Sequence, residues 1–422
     1  MSEPGWVQHA IWWHVYPLGF VDAEHSGPGQ RLPRLLGWLD YAVELGASGL
    51  ALGPIFASTS HGYDTVDHFR IDPRLGDDKD FDGLVAAAHD RGLRILLDGV
   101  FNHVGTEFPG FQRAQAGSES DRQWFRFDGD DFATFEGHDG LPALNHDNPA
   151  VAEYVGSAMR HWLDRGADGW RLDAAYATPR QFWATVLPTV RAAHPDAYIL
   201  GEVIHGDYAE IVAETRIDAV TQYELWKAIW SGLNDRNFFE VAHALQRHNG
   251  YLDAFVPLTF VGNHDVTRIA SRLDDERHLA HALVILLTVG GTPSIYYGDE
   301  QAFRGIKEER IGGDDAIRPA FPADGPDGLA PHGWPIYRLH QDLVGLRRRH
   351  PWLHDARTTQ IELANERFVY SCASGDDSIT VGLNLGDQPF SCAIAGEVLA
   401  GAADRDGDTV TVPPHGWVIT SG

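Results

Sequence analysis

The amino-acid sequence predicts an α/β fold: a (β/α)8 barrel with a short inserted subdomain after strand 3 and a C-terminal antiparallel β-domain. Up to residue 350, short apolar runs alternate with longer amphipathic stretches, which is typical of repeated βα units. Four of these runs end in charged or polar residues, as barrel strands do where their C-terminal ends meet. The chain has 422 residues, so a barrel of about 250 residues leaves room for an insertion and one further domain.

Apolar runs and turn residues define the barrel elements in chain order. Pro17 ends the first strand candidate and Gly53-Pro54 ends the second, while Gly46, Gly92 and Gly166 follow helical stretches as C-terminal caps do. The strand candidates are residues 11–16 and 49–52, the runs ending at Asp98, Asp173 and Glu202, and residues 219–222, 256–262 and 292–297. The amphipathic stretches that predict helices are residues 34–45, 81–91, 150–165, 179–193 and 279–289.

Two segments depart from the βα pattern and set the predicted domain boundaries. Residues 104–148 are rich in Gly, Asp and aromatic residues and lack helical periodicity, so they predict a functional loop or a small subdomain. Residues 351–422 contain alternating runs separated by turn residues, which predict an antiparallel β-domain. The barrel itself is then expected to comprise residues 1–103 and 149–350.

Charge and composition exclude several classes of partner. The net charge of −27 repels nucleic acid and anionic membranes and favours a neutral substrate. No segment is long and apolar enough to span a membrane, and the first ten residues lack the features of a signal peptide, so we expect a cytoplasmic protein. The only cysteines, Cys372 and Cys392, are expected to be reduced thiols in that compartment, although the sequence leaves a disulfide open.

The four runs with polar ends bring a distinctive set of side chains together. They are Ile95-Leu-Leu-Asp-Gly-Val-Phe-Asn-His103, Asp168-Gly-Trp-Arg-Leu-Asp173, Tyr198-Ile-Leu-Gly-Glu202 and Phe260-Val-Gly-Asn-His-Asp265. The C-terminal ends of barrel strands share one active site. Several carboxylates converging on one cleft, with a guanidinium and two imidazoles, suit the cleavage of a glycosidic bond.

These motifs resemble the core motifs of the α-amylase family of retaining glycoside hydrolases. Further matches are His61-Gly-Tyr-Asp64, Ile71-Asp-Pro-Arg-Leu-Gly76, Leu141-Pro-Ala-Leu-Asn145 and Gly291-Thr-Pro-Ser-Ile-Tyr-Tyr-Gly-Asp-Glu300. Each motif alone is short and weak, but all occur in the expected order at spacings that a barrel allows. The resemblance spans roughly residues 11–345.

The resemblance implies a role for each of three carboxylates. Asp173 corresponds to the nucleophile, Glu202 to the general acid/base, and Asp265 to the residue that engages sugar hydroxyls and favours the oxocarbenium-like state. Asp173 and Arg171 lie two positions apart and so share one face of a strand, where the cation favours the ionised carboxylate. A structural Arg–Asp pair and a surface glutamate are the alternative interpretations.

The resemblance also implies a set of substrate-binding residues. His103 and His264 correspond to imidazoles that bind sugar hydroxyls without adding charge. Tyr63 corresponds to a ring that stacks on the sugar. The remaining members of the set are Asp64, Asp98, Arg171 and Arg318; for Asp98 we expect a place below the site, where it orients Arg171 and Asn102.

We expect no metal ion and no cofactor. Many members of the family bind a structural calcium ion, and Asn102 corresponds to one of its ligands. The carboxylate expected within Leu141-Pro-Ala-Leu-Asn145 is replaced by Ala143. Because calcium needs several oxygen ligands, the loss of one disfavours that site.

The sequence therefore predicts a retaining α-glucoside hydrolase that acts on α-1,4-linked glucans or maltooligosaccharides, with water or another sugar as the acceptor. The motifs look most like the neopullulanase and cyclomaltodextrinase branch, without its N-terminal domain, and the oligomeric state stays open. One alternative is an α-glucosidase, glucosyltransferase or isomerase acting on small α-glucosides such as sucrose or trehalose. A remote alternative is a non-catalytic barrel that serves as a binding module.

Overall fold

The predicted fold class is confirmed by the computed structural model, which describes residues 3–310, 312–407 and 409–422. Eight parallel strands are hydrogen-bonded in the order β6-β5-β4-β3-β2-β1-β8-β7. A parallel bridge between Thr221 and Leu258 joins β6 to β7, which closes the barrel. The strands are β1 (Trp12–Val15), β2 (Gly49–Leu52), β3 (Arg94–Gly99), β4 (Gly169–Leu172), β5 (Tyr198–Gly201), β6 (Ala219–Val220), β7 (Leu258–Phe260) and β8 (Thr292–Tyr296).

Apolar packing explains why these runs form barrel strands. Nearly every residue of β3, β5, β7 and β8 is buried, as expected for strands covered on both faces. Large indoles fill the space between strands and helices, and Trp12, Trp13, Trp162 and Trp170 are at most 1% exposed. The strands are therefore a rigid frame for the side chains at their C-terminal ends.

Helices follow the strands and cover the barrel, and several begin or end away from the predicted positions. The predicted helix 34–45 is a 3₁₀ segment, Leu32–Trp38, followed by an α-helix. Gly46 caps it with φ 93°, in the left-handed region that glycine favours. The α-helices are Pro17–Phe20, Leu39–Leu45, Asp78–His89, Pro109–Gln115, Glu119–Arg122, Pro149–Asp164, Arg180–Ala193, Tyr208–Thr215, Tyr223–Asn234, Phe238–Tyr251, Ile269–Arg272, Leu279–Thr288 and Trp334–Arg349.

Two insertions stand on the C-terminal side of the barrel. After β2, a two-stranded hairpin of Phe56–Ser58 and Thr65–Ile71 carries the His61-Gly-Tyr-Asp64 motif in its turn. After β3, the segment 104–148 contains two short helices and a second hairpin, Phe127–Asp128 with Asp131–Phe132. The segment shows no helical periodicity in the sequence because its helices, of seven and four residues, are too short to give a periodic pattern.

The C-terminal strands form two antiparallel sheets. The larger has the order β9-β10-β11-β16-β13 and the smaller the order β12-β15-β14. Cys372 and Cys392 are both free and buried here, as expected. The strands are β9 (Arg357–Ala364), β10 (Arg367–Ser374), β11 (Asp377–Asn384), β12 (Phe390–Ala393), β13 (Val398–Gly401), β14 (Asp404–Asp406), β15 (Thr409–Val412) and β16 (Trp417–Ser421). Among the described residues, no helix combines the length and apolarity needed to cross a membrane.

Candidate active site

The polar ends of β3, β4, β5 and β7 meet at the C-terminal mouth of the barrel. Asp98 lies on β3 and pairs in register with Arg171 on the neighbouring β4. Asp173 and Glu202 directly follow β4 and β5, and Asp265 follows β7. The barrel thus places these predicted residues in a single contact network.

Arg171 is the centre of that network. Its Nη1 donates to both oxygens of Asp98, at 2.8 and 2.7 Å, and to Asp173 Oδ1 at 3.1 Å. Its Nη2 lies 2.8 Å from Glu202 Oε1 and 4.0 Å from Asp265 Oδ2. A planar guanidinium with fixed donors can hold several carboxylates in one geometry, and here it touches all four.

Burial perturbs the carboxylates in this network. Loss of solvent raises the pKa of Asp173 well above its ordinary value, and the Arg171 charge opposes that rise. Burial raises the pKa of Asp98 to about 6. It also raises the pKa of Asp265, while Arg318 acts in the opposite direction. A crowded set of buried carboxyls retains protons that exposed carboxyls would lose.

Glu202 is held from three sides. Its Oε2 accepts a hydrogen bond from the backbone N–H of Ala174 at 3.0 Å, and its Oε1 accepts one from Tyr223 Oη at 3.2 Å. Ala174 has φ 44°, so the backbone just after β4 is in the left-handed region that costs free energy for a non-glycine residue. This turn aims an N–H at Glu202, and the carboxylate is only 8% exposed.

Asp265 is the most exposed carboxylate of the group, with 30% of its side chain open to solvent. Arg318 Nη2 lies 3.2 Å from Asp265 Oδ1, and Arg318 Nε donates to the backbone carbonyl of His264 at 3.0 Å. The guanidinium of Arg318 packs 4.5 Å from the centre of the Tyr16 ring. Arg318 therefore positions the loop after β7 and also contacts its carboxylate.

A row of parallel rings forms one wall. The ring of His264 lies between those of Tyr63 and Tyr16, with interplanar angles of 3° and 4°. Tyr63 Oη donates to Asp98 at 3.1 Å and contacts His264 Nε2. His264 Nδ1 lies 3.1 Å from His14 Nε2 on β1. Burial lowers the pKa of His264 well below its ordinary value and that of His14 to about 3, so both imidazoles are neutral.

His103 and Asp64 lie at the edge of this wall. His103 Nε2 lies 3.1 Å from the backbone oxygen of Tyr63, its ring stacks on Phe135 from the inserted segment, and burial lowers its pKa to about 3. Asp64 accepts a hydrogen bond from Ser60 Oγ at 2.7 Å, which fixes the hairpin turn. Its other oxygen, Oδ1, is buried and accepts no hydrogen bond from the described residues.

Asn102 and Ala143 mark the position considered for calcium. Asn102 Nδ2 lies 3.2 Å from His103 Nδ1, and the Asn102 carbonyl accepts the N–H of Leu144 at 3.0 Å. Ala143 pairs with His103 in an antiparallel bridge, and its methyl group offers no oxygen. The contacts of Asp98 are with Arg171 and Tyr63, whereas the sequence suggested contact with Asn102 as well.

Several side chains that complete the site were missed by the sequence analysis. His14 and Tyr16 come from the end of β1, and that position was the only available signal for them. Tyr223 opens the helix after β6, and its hydroxyl connects Glu202 with Asn263. On the rim, Tyr176 Oη donates to Glu136 at 2.7 Å, which ties the inserted segment to the loop after β4. No sequence motif indicated that pair.

The chain is similar to known proteins both in sequence and in structure. The sequence profile of the α-amylase catalytic domain matches residues 14–367. A cyclomaltodextrinase from a Bacillus species is 31% identical over 422 aligned positions, covering 91% of this chain and 74% of that protein. The intracellular maltogenic amylase of Bacillus subtilis strain 168 is 32% identical, covering 72% of this chain and 57% of that protein. The cyclic α-maltosyl-(1→6)-maltose hydrolase of Arthrobacter globiformis, in complex with its cyclic sugar, superposes with a TM-score of 0.86 at 25% identity over all of both chains.

Proposed function

The chain belongs to the α-amylase family of glycoside hydrolases, and from this premise we propose that it cleaves α-1,4-linked glucans or maltooligosaccharides through a covalent glycosyl-enzyme. One observation carries this proposal. Asp173 and Glu202 follow adjacent strands, and they contact the Nη1 and Nη2 atoms of Arg171, respectively. The curated relatives reported above are a cyclomaltodextrinase and a maltogenic amylase. The substrate class therefore rests on their names as well as on the site.

In the first step, Glu202 donates a proton to the glycosidic oxygen as the bond to the anomeric carbon breaks. Asp173 Oδ attacks that carbon from the opposite face and forms a β-linked ester, so the leaving sugar departs as a neutral alcohol. In the second step, Glu202 takes a proton from water, the oxygen attacks the anomeric carbon, and the ester bond to Asp173 breaks. A sugar hydroxyl in place of water gives transglycosylation with the same balance of atoms.

Arg171 and Ala174 set the geometry for both carboxyls. Nη1 of Arg171 donates to Asp173, and the Ala174 N–H and Tyr223 Oη donate to Glu202, so both carboxylates are oriented by hydrogen bonds. Positioned groups convert a bimolecular encounter into an effectively unimolecular one. Asp98 is 1% exposed and its oxygens accept hydrogen bonds from Arg171 and Tyr63, which suits a role in holding these two side chains.

The remaining polar groups suit recognition of one sugar ring. Asp265 and Asp64 offer carboxylate oxygens and Arg318 offers donors, all matched to hydroxyls. The ring nitrogens of His264 and His103 contact protein groups, so we propose that a sugar hydroxyl replaces one of these contacts on each ring. We propose that Tyr63 stacks on the apolar face of the ring. Asp265, the most exposed of the carboxylates, is the one that an entering hydroxyl would reach first.

A pair of conservative variants tests the roles. Asp173→Asn and Glu202→Gln keep shape and remove the charge or the proton, and each should lower kcat at least about 100-fold, since acid–base catalysis alone is typically worth 10²–10⁴. Glu214→Gln, a change on an exposed helix face, is the matched control and should keep wild-type turnover. A folded Asp173→Asn or Glu202→Gln enzyme that retains more than about a tenth of wild-type kcat would contradict the assignment.

Substrate choice separates the main proposal from its alternative. The alternative is a glucosidase, glucosyltransferase or isomerase for sucrose or trehalose, which would use the same carboxylates. A screen of maltose, maltotriose, cyclodextrin, pullulan, sucrose and trehalose should show the highest kcat/KM on maltotriose or cyclodextrin. A clear preference for sucrose or trehalose would favour the alternative, and inactivity on all six would favour a binding module.

We also propose a cytoplasmic location and a division of the chain at the predicted boundaries. One relative is named intracellular, and the two buried cysteines are free, which is usual in reducing compartments. The division is a barrel of residues 1–103 and 149–350, an inserted subdomain of residues 104–148 and a β-domain of residues 351–422. Separate expression of residues 351–422 would test whether that part folds alone.

A further inference from the structure

We propose that Asp275, His278 and His415 form a binding site for a divalent transition metal of the zinc type, outside the active site. Asp275 precedes and His278 ends the 3₁₀ turn Glu276–His278, which leads into the helix Leu279–Thr288. His415 lies in the turn between β15 and β16. A metal bound by these residues would connect the barrel to the C-terminal β-strands. The inference does not depend on the proposed hydrolase activity.

The three ligand atoms converge. His278 Nε2 lies 3.1 Å from His415 Nδ1 and 3.9 Å from Asp275 Oδ2, and all three atoms lie within 4.8 Å of one another. Tetrahedral zinc with bonds of about 2.0–2.2 Å separates its ligands by roughly 3.3–3.6 Å. The two imidazole nitrogens, 3.1 Å apart, and the Asp275 oxygen, 3.9 Å from His278, lie close to this separation.

A second carboxylate orients His415 as a ligand. Asp387 Oδ1 lies 2.7 Å from His415 Nε2, so that nitrogen carries the proton and Nδ1 presents its lone pair to His278. This carboxylate–imidazole pairing is the usual arrangement behind a metal-bound histidine. His415 has φ 52°, and the turn holds it there through an N–H bond to the Gly386 carbonyl at 3.2 Å.

The surroundings enclose His278 and leave one side of the site open. His278 is 2% exposed. The ring of His281 packs edge-on against His278, its Nε2 lies 3.0 Å from two backbone carbonyls, and it is not part of the group of converging ligand atoms. Asp275 is 30% exposed, which leaves a path for the ion and room for water as the fourth ligand.

Nearby cations compete with a metal and set its affinity. Arg277 pairs with both oxygens of Asp275, at 2.9 and 2.6 Å, and Arg236 lies 3.6 Å from Asp387. The side chain of Arg277 is 56% exposed and can turn into solvent when a metal takes its place. Two imidazoles and one carboxylate suit zinc and its neighbours in the first transition row, whereas calcium and magnesium require oxygen ligands.

Zinc titration of the purified chain tests the site. The protein is treated with EDTA, desalted, and titrated with zinc sulfate by calorimetry, with calcium chloride as the comparison and the Tm followed in parallel. We expect one zinc equivalent that is lost in His415→Asn and Asp275→Asn, and a Tm rise of roughly 3–5 °C when free zinc is about 100 times the Kd. Asparagine tolerates the left-handed backbone at position 415.

Two further variants make the outcome decisive. Asp387→Asn alters an exposed residue that does not bind the ion, so it should fold normally and weaken zinc binding by about 10–100-fold. His243→Asn removes an exposed imidazole elsewhere and should leave the titration unchanged. Zinc bound at the active-site imidazoles would inhibit hydrolysis and persist in His415→Asn. The proposal is overturned if zinc does not raise the Tm, or if zinc raises the Tm equally in His415→Asn and in wild type. The contact between His278 and His415 is then a hydrogen bond without a role in metal binding.

Discussion

Replacing Arg171 by lysine should move the acid limb of the pH–activity profile to higher pH. The guanidinium contacts Asp98 and Asp173 through Nη1 and Glu202 through Nη2. A lysine keeps the charge but has a single nitrogen, so it cannot span these carboxylates. Asp173 must be ionised to attack, so activity appears as pH rises through its pKa. That pKa is already raised by burial, and a more distant cation opposes the rise less.

The contact distances give the size of the effect. With an effective dielectric of about 20, a unit charge at 3.1 Å from Asp173 contributes roughly 5 kcal/mol, and one at about 5 Å roughly 3 kcal/mol. The difference of about 2 kcal/mol corresponds to roughly 1.5 pH units. Lysine also loses at least one charge-assisted hydrogen bond, worth roughly 1.5–3 kcal/mol, so kcat/KM should fall at least about 10-fold even above the limb.

The assay is kcat/KM on maltotriose across the pH range in which both enzymes stay folded. Arg268→Lys is the matched control, because Arg268 is a fully buried arginine paired with Asp299 at 2.9 Å but is not in contact with the carboxylate network. Arg268→Lys should lower the Tm without moving the acid limb. The electrostatic role of Arg171 would be refuted if the acid limb of Arg171→Lys coincided with that of wild type, or if the acid limb of Arg268→Lys moved by the same amount.

Three further outcomes follow from the site. Proton NMR of the first product should show the α anomer, because a double displacement through Asp173 retains configuration; early β anomer would contradict it. Millimolar calcium chloride added to metal-free enzyme should change neither Tm nor activity, because Ala143 offers no side-chain oxygen; a reproducible rise in Tm would show that other oxygens bind calcium. Maltotriose should give a higher kcat/KM than granular starch, since the inserted segment of residues 104–148 is short and the relatives are named for cyclodextrins and maltose; the reverse order would indicate an endo-acting amylase.

The strands that carry the carboxylates could be predicted because two independent signals coincide there. A fully buried strand is an apolar run, and a polar residue directly after such a run is a candidate for the active site at the barrel mouth. This pattern alone identified four carboxylates as neighbours: Asp98, Asp173, Glu202 and Asp265. Strand lengths were less predictable. The predicted strand 219–222 pairs regularly only over Ala219–Val220, because the helix that begins at Tyr223 follows at once.

The missed residues lie where local sequence has no periodic signal. Tyr63 was not missed, but only its motif identified it, because it lies in the turn of the hairpin Phe56–Ser58 and Thr65–Ile71, whose irregular register hides the alternation of a regular strand. His14 follows two tryptophans within a buried strand and has the pattern of a core residue until His264 is placed beside it. The Tyr176–Glu136 contact joins two loops 40 positions apart, and only the tertiary structure can bring them together.

The charge balance of the site favours a cationic transition state over a neutral ground state. Four carboxyls, those of Asp98, Asp173, Glu202 and Asp265, surround Arg171. Among the residues that the structure describes, Arg318 is the only other fixed cation in contact with them. The histidines do not alter this balance, because burial keeps them neutral. A neutral sugar gains little from the remaining negative charge, whereas an oxocarbenium-like ring gains much, since preorganised charge acts strongly in a site that excludes water. Burial first, and then the neighbouring carboxylates, raise the pKa of Asp173. Positive charge that develops on the sugar ring beside Asp173 favours its ionised form, which is the form that must attack as the glycosidic bond breaks.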